Sequence, residues 1–166
     1  LSREVRRLKA LVGERYGFEN IIGKSKKMQE VMERVAKAAE TDSNVCISGE
    51  SGTGKELMAK SLHLLSSRKD KPFVAVNCAA IPETLLESEL LGYKKGAFTD
   101  ARSDKRGLLF EANEGTLFLD EIGNTSLQQQ AKLLSVLQNR QVTRLGTNTP
   151  VPIDVRLICA TVCGFE

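Results

Sequence analysis

The 166-residue sequence contains no tryptophan, one histidine and only four prolines. It has no run close to the roughly 18 consecutive apolar residues of a membrane-spanning helix, and its first ten residues are too charged for a signal peptide. We therefore expect no membrane partner and a cytoplasmic location. The chain also lacks a strong charge bias: its formal net charge is +3. This value gives no overall signature of nucleic-acid binding, although it permits a local basic patch.

The four cysteines form no CxxC pair, and none has zinc-site spacing to the single histidine, His63. Cys46, Cys78 and Cys159 lie in apolar runs, which predicts buried, reduced thiols and not a metal or redox site. His63 has no carboxylate or cysteine close to it in sequence. We expect it to be a structural residue.

With 41% hydrophobic and 27% charged residues, the chain has the composition of a globular domain, or a piece of one. Apolar residues at helical spacing predict a charged helix at the start, and we interpret residues 1–20 as a connector. Ser25 is a good N-cap for a second helix. Its apolar face would contain the following residues: Met28, Val31, Met32, Val35 and Ala39.

Strands and helices then alternate along the chain. The patterns predict strands at 45–47, 73–76, 116–119 and 155–160 and helices at 55–65 and 82–91. Capping-box spacing at Thr125 and Ser126 predicts a further helix, whose apolar positions are Leu127, Ala131, Leu134 and Leu137. Residues 144–152 resemble a hairpin or loop. The alternation favours an α/β layered domain around a mainly parallel sheet.

Residues 49–56 read GESGTGKE and match the pattern GxxxxGK. Glycines at Gly49 and Gly54 allow backbone N–H groups to surround phosphate oxygens, while Lys55 supplies a positive charge. A strand before this segment and a helix after it favour a phosphate loop over a glycine-rich turn without a ligand. Glu56 stands where the general motif has a Ser or Thr that ligates magnesium.

A second acidic motif follows the apolar run at 116–119, where the strand leads into Asp120 and Glu121. In magnesium-nucleotide hydrolysis, one carboxylate holds the metal and another orients and deprotonates the attacking water. The alternative is a strand followed by an acidic helix start. Together with the phosphate loop, the two carboxylates predict an ATP- or GTP-binding P-loop domain.

Residues 96–101 read GAFTDA, with Lys94, Lys95 and Arg102 beside them. Phe98 is an apolar residue in a polar segment. Two interpretations remain open: its ring packs into the domain, or it is exposed to a partner.

Three segments carry a family resemblance: GESGTGKE, VNCAAIPETLLESELLGYKKGAFTDA (76–101) and GTLFLDEI (115–122). They resemble the central AAA+ ATPase domain of sigma-54-dependent, NtrC-like transcriptional activators, over about residues 21–161, and leave 162–166 unassigned. The resemblance implies a three-layer α/β/α P-loop NTPase of the AAA+ type. It also implies a ring that couples ATP hydrolysis to remodelling of sigma-54 RNA polymerase. Glu56 is usual in this family.

The resemblance also implies roles for individual residues. Asp120 would hold Mg²⁺, Glu121 would activate water, and Asn77 would pair with Glu121 and switch it with nucleotide state. The loop at 144–152 would be a second inserted hairpin that moves with the sigma-54-contacting segment. The nucleotide-binding residues would be Gly49, Glu50, Ser51, Gly52, Thr53, Gly54, Lys55 and Glu56, with Ile22 and Gly23 near the adenine. The sigma-54 contacts would be Gly96, Ala97, Phe98, Thr99, Asp100 and Ala101.

The sequence departs from the family pattern in three ways. Asp100 replaces the last glycine of GAFTGA, and Val162 follows Thr161 where a sensor Asn is usual. The resemblance further implies that the arginine fingers, the helical lid and a DNA-binding helix-turn-helix lie outside these residues. We therefore expect the ATP-binding core of such an activator. The alternatives are a truncated nucleotide-binding module without turnover of its own and a different P-loop enzyme, for which the GAFT segment would be a coincidence.

Overall fold

The structure, a computed structural model, describes Arg3 and residues 25–50 and 54–162. Several predicted features lie outside these residues: most of the 1–20 connector, Ile22, Gly23, Ser51, Gly52, Thr53 and residues 163–166. No helix in the described part of the chain is long and apolar enough to cross a bilayer.

Helices and strands alternate through most of the chain. In chain order they are α1 (Lys26–Ala39), β1 (Val45–Ser48), α2 (Lys55–Leu65), β2 (Phe73–Asn77), α3 (Glu83–Leu91), β3 (Gly92–Tyr93), β4 (Lys105–Arg106), α4 (Leu108–Glu111), β5 (Thr116–Asp120), a 3-10 helix (Ile122–Asn124), α5 (Leu127–Asn139), β6 (Gln141–Val142), β7 (Val151–Pro152) and β8 (Arg156–Thr161). The four longer strands form one parallel sheet in the order β1, β8, β5, β2. Because all four run in the same direction, their carboxyl ends lie at one edge.

Alternate residues of the strands fill two cores, one on each face of the sheet. The core beneath α1 and α2 contains Met32, Val35, Ala59, Leu62, Phe118, Ile158 and Ala160. The core beneath α3, α4 and α5 contains Val76, Cys78, Leu86, Leu90, Leu109, Ala112, Leu117, Leu119, Val142 and Ile153. This arrangement is the expected α/β/α layering, with the sheet as the middle layer.

The predicted N-caps are present, although the predicted apolar faces are only partly buried. Ser25 Oγ accepts a hydrogen bond from Met28 N at 3.1 Å, and Val31 is 43% exposed because it lies on the outer side of α1. Ser126 Oγ accepts from Gln129 N at 3.2 Å. In α5, Leu133 and Val136 pack against the core. The predicted stripe instead leaves Leu127 82% and Leu134 54% exposed.

Two short antiparallel ribbons lie beside α3 and α5. β3 pairs with β4 and closes the loop that contains residues 96–101, while β6 pairs with β7. The predicted hairpin at 144–152 is therefore closed by pairing of its last two residues with Gln141 and Val142, which precede it in the chain. The two loops are joined, because Lys94 N donates to the Leu145 carbonyl at 3.0 Å and Leu145 N donates to the Gly92 carbonyl at 3.1 Å.

Arg68 joins three chain segments at the amino edge of the sheet. Its guanidinium donates to both carboxylate oxygens of Asp42, at 2.8 and 2.7 Å, and to Asp154 Oδ1 at 2.8 Å. It also donates to the carbonyl oxygens of Gly115 and Asp154, both at 3.0 Å. The hydrogen bonds from Arg68 hold the pKa of Asp42 below its ordinary value.

His63 is buried against the same part of the sheet. Its Nε2 lies 3.0 Å from the Lys71 carbonyl, so this nitrogen carries the proton, and its Nδ1 accepts from Thr116 Oγ1 at 2.8 Å. Burial lowers the pKa of His63. The contacts are those of the structural residue we expected.

The prediction of buried cysteines is wrong for Cys46. Cys78 is buried and Cys159 is half-buried, but Cys46 is exposed. Its neighbours Val45 and Ile47 pack against the core under α1 and α2. Because side chains alternate along a strand, Cys46 projects from the opposite face, and β1 is the outer strand of the sheet.

Candidate functional site

The carboxyl edge of the sheet brings together the predicted phosphate loop and the acidic pair. Gly49 follows β1, and its N–H donates to the carbonyl of Thr161, at the end of β8, at 3.2 Å. Asp120 ends β5 and lies in register with Asn77, which ends β2. Residues distant in sequence are therefore neighbours along one edge.

Lys55, the first residue of α2, turns back toward the start of the predicted phosphate loop. Its Nζ donates to the carbonyls of Gly49 at 2.7 Å and Glu50 at 3.0 Å. Gly54, the N-cap of α2, has φ 84° and ψ 28°, and no side chain caps the helix there. Glycine adopts this left-handed geometry without a steric cost. The helix N-terminus and the ammonium group thus form a site suited to an anion.

Glu56 lies one residue further along α2. Its carboxylate is 3.7 Å from the ammonium of Lys60, one helical turn away. Both side chains are partly exposed. This geometry assigns no metal-ligating role to Glu56.

Asp120 Oδ1 is buried and has no hydrogen-bond partner among the described residues. A buried carboxylate oxygen requires a donor or a cation. The described residues contain no group of three or more His, Cys, Asp or Glu side chains able to hold a metal. Mg²⁺ typically binds through one or two carboxylates together with substrate phosphates and water. The residues at this edge therefore fit a nucleotide-bound Mg²⁺.

Glu121 follows Asp120 and leads the chain from β5 into the 3-10 helix. Its backbone has φ 55° and ψ 44°. This conformation makes Glu121 turn away from the strand direction directly after Asp120. The two adjacent carboxyl groups therefore stand on backbone of different conformation, Asp120 at the end of the strand and Glu121 in the left-handed region.

Asn77 lies at the end of β2, as predicted, but it does not form the predicted pair with Glu121. Its Oδ1 accepts from Ala79 N at 2.9 Å and holds the turn after β2. Among the described residues, no hydrogen bond joins Asn77 to Glu121. Its role in switching Glu121 stays a prediction.

Cys78 is a neighbour of the acidic pair that the sequence did not single out. Its N–H donates to the Asp120 carbonyl at 3.0 Å. Burial raises the pKa of its thiol to about 11, and the charges of Asp120 and Glu121 add to the effect. Its position directly after Asn77 was the available sequence signal.

Residues 96–101 form a compact turn. They lie in the loop between β3 and β4, before the strand that leads to Asp120. Gly96 N donates to the Ala101 carbonyl at 2.9 Å, and Ala101 N donates to the Phe98 carbonyl at 3.0 Å. The Phe98 ring is 42% exposed and meets the Tyr93 ring edge-on at 4.8 Å. Both interpretations of Phe98 thus hold in part, since one side packs and the other faces solvent.

Comparisons with known proteins identify the family of this chain. Residues 21–166 match the family described as Sigma-54 interaction domain. The "Nif-specific regulatory protein" of Herbaspirillum seropedicae is 52% identical over the whole chain, which covers 31% of that protein. The chain thus spans about a third of the length of this relative.

Two solved structures support the fold. NtrX from Brucella abortus in complex with ATP is 38% identical, with a TM-score of 0.77 over 86% of this chain and 30% of that one. The P-loop NTPase domain of a sigma-54 transport activator from E. coli is 21% identical, with a TM-score of 0.53 over 80% of this chain and 84% of that one. At that identity the second match concerns the fold alone. The expected P-loop NTPase fold class is confirmed.

Proposed function

Because the chain belongs to the Sigma-54 interaction domain family, we propose that it is the ATP-binding core of a transcriptional activator. In the complete protein, this core would couple ATP hydrolysis to remodelling of sigma-54 RNA polymerase at transcription initiation. The observation that supports the proposal most directly is the orphaned, buried Asp120 Oδ1 at the same sheet edge as the phosphate loop. Relatives of this chain are transcriptional regulators.

Each residue at the edge would perform one task. Lys55 and the N-terminus of α2 would hold the ATP phosphates, with the ammonium moving from loop carbonyls to phosphate oxygens. Asp120 would ligate Mg²⁺, which when bound neutralises charge on the phosphates. Glu121 would orient a water molecule and take its proton. Asn77 would position Glu121 after a change of its present bond to Ala79.

The sigma-54 factor is the proposed partner of the loop formed by residues 96–101. The loop is physically connected to the one after β6: a side chain at Gly146 would place its Cβ 2.7 Å from Ala97 Cβ. The bonds between Lys94 and Leu145 add a backbone link. A displacement of one loop would therefore displace the other. Self-association into a ring, and DNA contact through a separate domain, belong to the same proposal for the complete protein.

Nucleotide binding is tested by Lys55→Ala. Removing a charge-assisted hydrogen bond to phosphate should raise the Kd for a fluorescent ATP analogue by at least about tenfold. Lys37→Ala is the control, because it removes the same charge from an exposed position in the last turn of α1. Equal affinities for Lys55→Ala and the unmodified chain would contradict the phosphate-loop assignment.

Hydrolysis is tested by Glu121→Gln in the complete protein. The amide can orient water but cannot accept its proton, so ATP binding should persist while turnover falls about 10²–10⁴-fold. Glu111→Gln, at an exposed position at the end of α4, is the control. Unchanged turnover in the Glu121 variant would assign the base elsewhere. Binding without turnover by the 166-residue chain, beside turnover by the complete protein, would favour a nucleotide-binding module.

A further inference from the structure

Two cysteines lie side by side on adjacent strands of the central sheet. Cys46 in β1 and Cys159 in β8 are direct register partners. Neighbouring strands are about 4.8 Å apart, and the Cα atoms of a disulfide are about 4.4–6.8 Å apart. The backbone spacing is therefore compatible with a bond between the two sulfurs.

Both side chains project from the same face of the sheet. Ile47 and the register neighbours Ile158 and Ala160 pack into the core under α1 and α2. Because side chains alternate along a strand, Cys46 and Cys159 both lie on the other face. The two thiols thus share one side of two adjacent strands.

The two thiols differ in access to solvent. Cys46 is exposed, whereas Cys159 is half-buried and its Sγ lies 3.8 Å from the Val45 carbonyl oxygen. Cys78 follows β2, which is separated from β8 by β5. Of the three described cysteines, Cys46 and Cys159 are the two placed to react with each other.

The electrostatics of Cys159 depend on Cys46. Burial raises the pKa of Cys159 to about 12, and the charge of Cys46 and a hydrogen bond with it add to this effect. Covalent modification of the Cys46 thiol removes both of these contributions from Cys46. The thiolate is the attacking form of a cysteine.

We propose that Cys46 and Cys159 form a redox-reactive dithiol site whose substrate class is a low-molecular-weight disulfide. Deprotonated Cys46 Sγ attacks one sulfur of the small disulfide, forms a mixed disulfide and releases one thiolate. Deprotonated Cys159 Sγ then attacks Cys46 Sγ, forms the intrachain bond and releases the second thiolate. Two protein thiols are oxidised and one small disulfide is reduced to two thiols. The protons lost by the cysteines pass through solvent to the released thiolates.

The product should be easily reduced. A relaxed disulfide has Cβ atoms about 3.8 Å apart, which is closer than the spacing of neighbouring strands. The bond would therefore pull β1 and β8 together, and strained disulfides are the labile ones. The proposal does not rest on the nucleotide chemistry proposed above.

The test is oxidation of the folded 166-residue chain with oxidised glutathione at about pH 8. Trypsin would release Cys46 in peptide 38–55 and both Cys159 and Cys163 in peptide 157–166. The experiment therefore uses a Cys163→Ser background, so that the cross-linked peptide identifies Cys159. We expect loss of two free thiols per chain, a mass lower by two hydrogen atoms and a cross-link between the two peptides. Dithiothreitol should reverse all three changes.

Matched variants give the controls. Cys78→Ser should leave the cross-link intact, while Cys46→Ser should abolish both the cross-link and glutathione incorporation at this site. Cys159→Ser should stop at the glutathione adduct of Cys46. In urea, cross-links to Cys78 should appear as well, since the register is lost. A stable adduct on Cys46 of the folded Cys163→Ser chain, without the intrachain bond, would overturn the proposal. No reaction at all would overturn it equally.

Discussion

Replacement of Arg68 by alanine should destabilise the fold through its backbone acceptors more than through its ion pairs. The Asp42 and Asp154 side chains are 60% and 61% exposed, so water can replace Arg68 as their partner. Exposed ion pairs contribute about 0–1 kcal/mol each. The Gly115 carbonyl belongs to a buried residue and would lose a charged donor, although Arg156 N still donates to it at 3.0 Å. Loss of such a bond costs about 1–3 kcal/mol.

The sum is a loss of about 3 kcal/mol in the free energy of unfolding for Arg68→Ala. Asp42→Asn should cost no more than about 1 kcal/mol, because the Asp42 carboxylate is exposed and Asp154 still pairs with Arg68. Arg68→Lys should recover little, since an ammonium cannot reproduce the planar fork that reaches two segments at once. Arg34→Ala, on the exposed side of α1, is the control for loss of an arginine.

The assay is urea unfolding followed by far-ultraviolet circular dichroism, because the chain has no tryptophan to report by fluorescence. Asp42 adds a pH test. Its folded-state pKa is lowered by Arg68, so its contribution is present above the ordinary value of about 3.9 and is lost as the pH falls below it. Arg68→Ala should reduce this acid sensitivity. Equal losses for Asp42→Asn and Arg68→Ala would refute the reasoning, as would a loss below about 1 kcal/mol for Arg68→Ala.

Two further predictions concern His63 and Asp100. The pKa of His63 is lowered by burial, so protonation favours the unfolded chain; unfolding free energy should fall as the pH drops below about 6.5. His63→Gln should make the unfolding free energy less dependent on pH, as measured by urea titrations between about pH 7.5 and about pH 5.5. An unchanged pH dependence would exclude His63 as its source. Asp100→Gly in the complete protein should increase complex formation with sigma-54 in the presence of an ATP transition-state mimic, because it removes a negative charge beside Phe98, while ATPase activity persists. Equal complex yields would show that the loop tolerates Asp100.

The elements with strong local signals could be predicted from the sequence. The helix expected at 55–65 is α2, since a glycine-rich loop precedes it and apolar residues recur at helical spacing. The four main strands were expected within one or two residues, because their apolar runs are short and bounded by polar residues. Asp120 and Glu121 could be named because they directly follow such a run.

Other features depend on contacts between distant segments, which no local pattern encodes. Strands β3 and β4 have two residues each and exist only through their pairing. The exposure of Cys46 follows from the position of β1 at the edge of the sheet, which depends on strand order. The Arg68 network joins residues up to 86 positions apart. The side of α5 that packs was also not apparent, because both of its sides carry leucine.

At Glu121, the backbone conformation lowers the stability of the fold, while the side chain supplies the carboxylate proposed for hydrolysis. Left-handed geometry costs a residue with a Cβ about 1–2 kcal/mol, and among the described residues only Glu114 and Arg140 share this φ sign without being glycine. A glycine there would relieve the backbone and remove the carboxylate. Selection for thermal stability alone would therefore favour replacement of Glu121. Retention of the carboxylate would indicate selection for its chemical role. Stabilised versions of this domain should be screened for turnover as well as melting temperature.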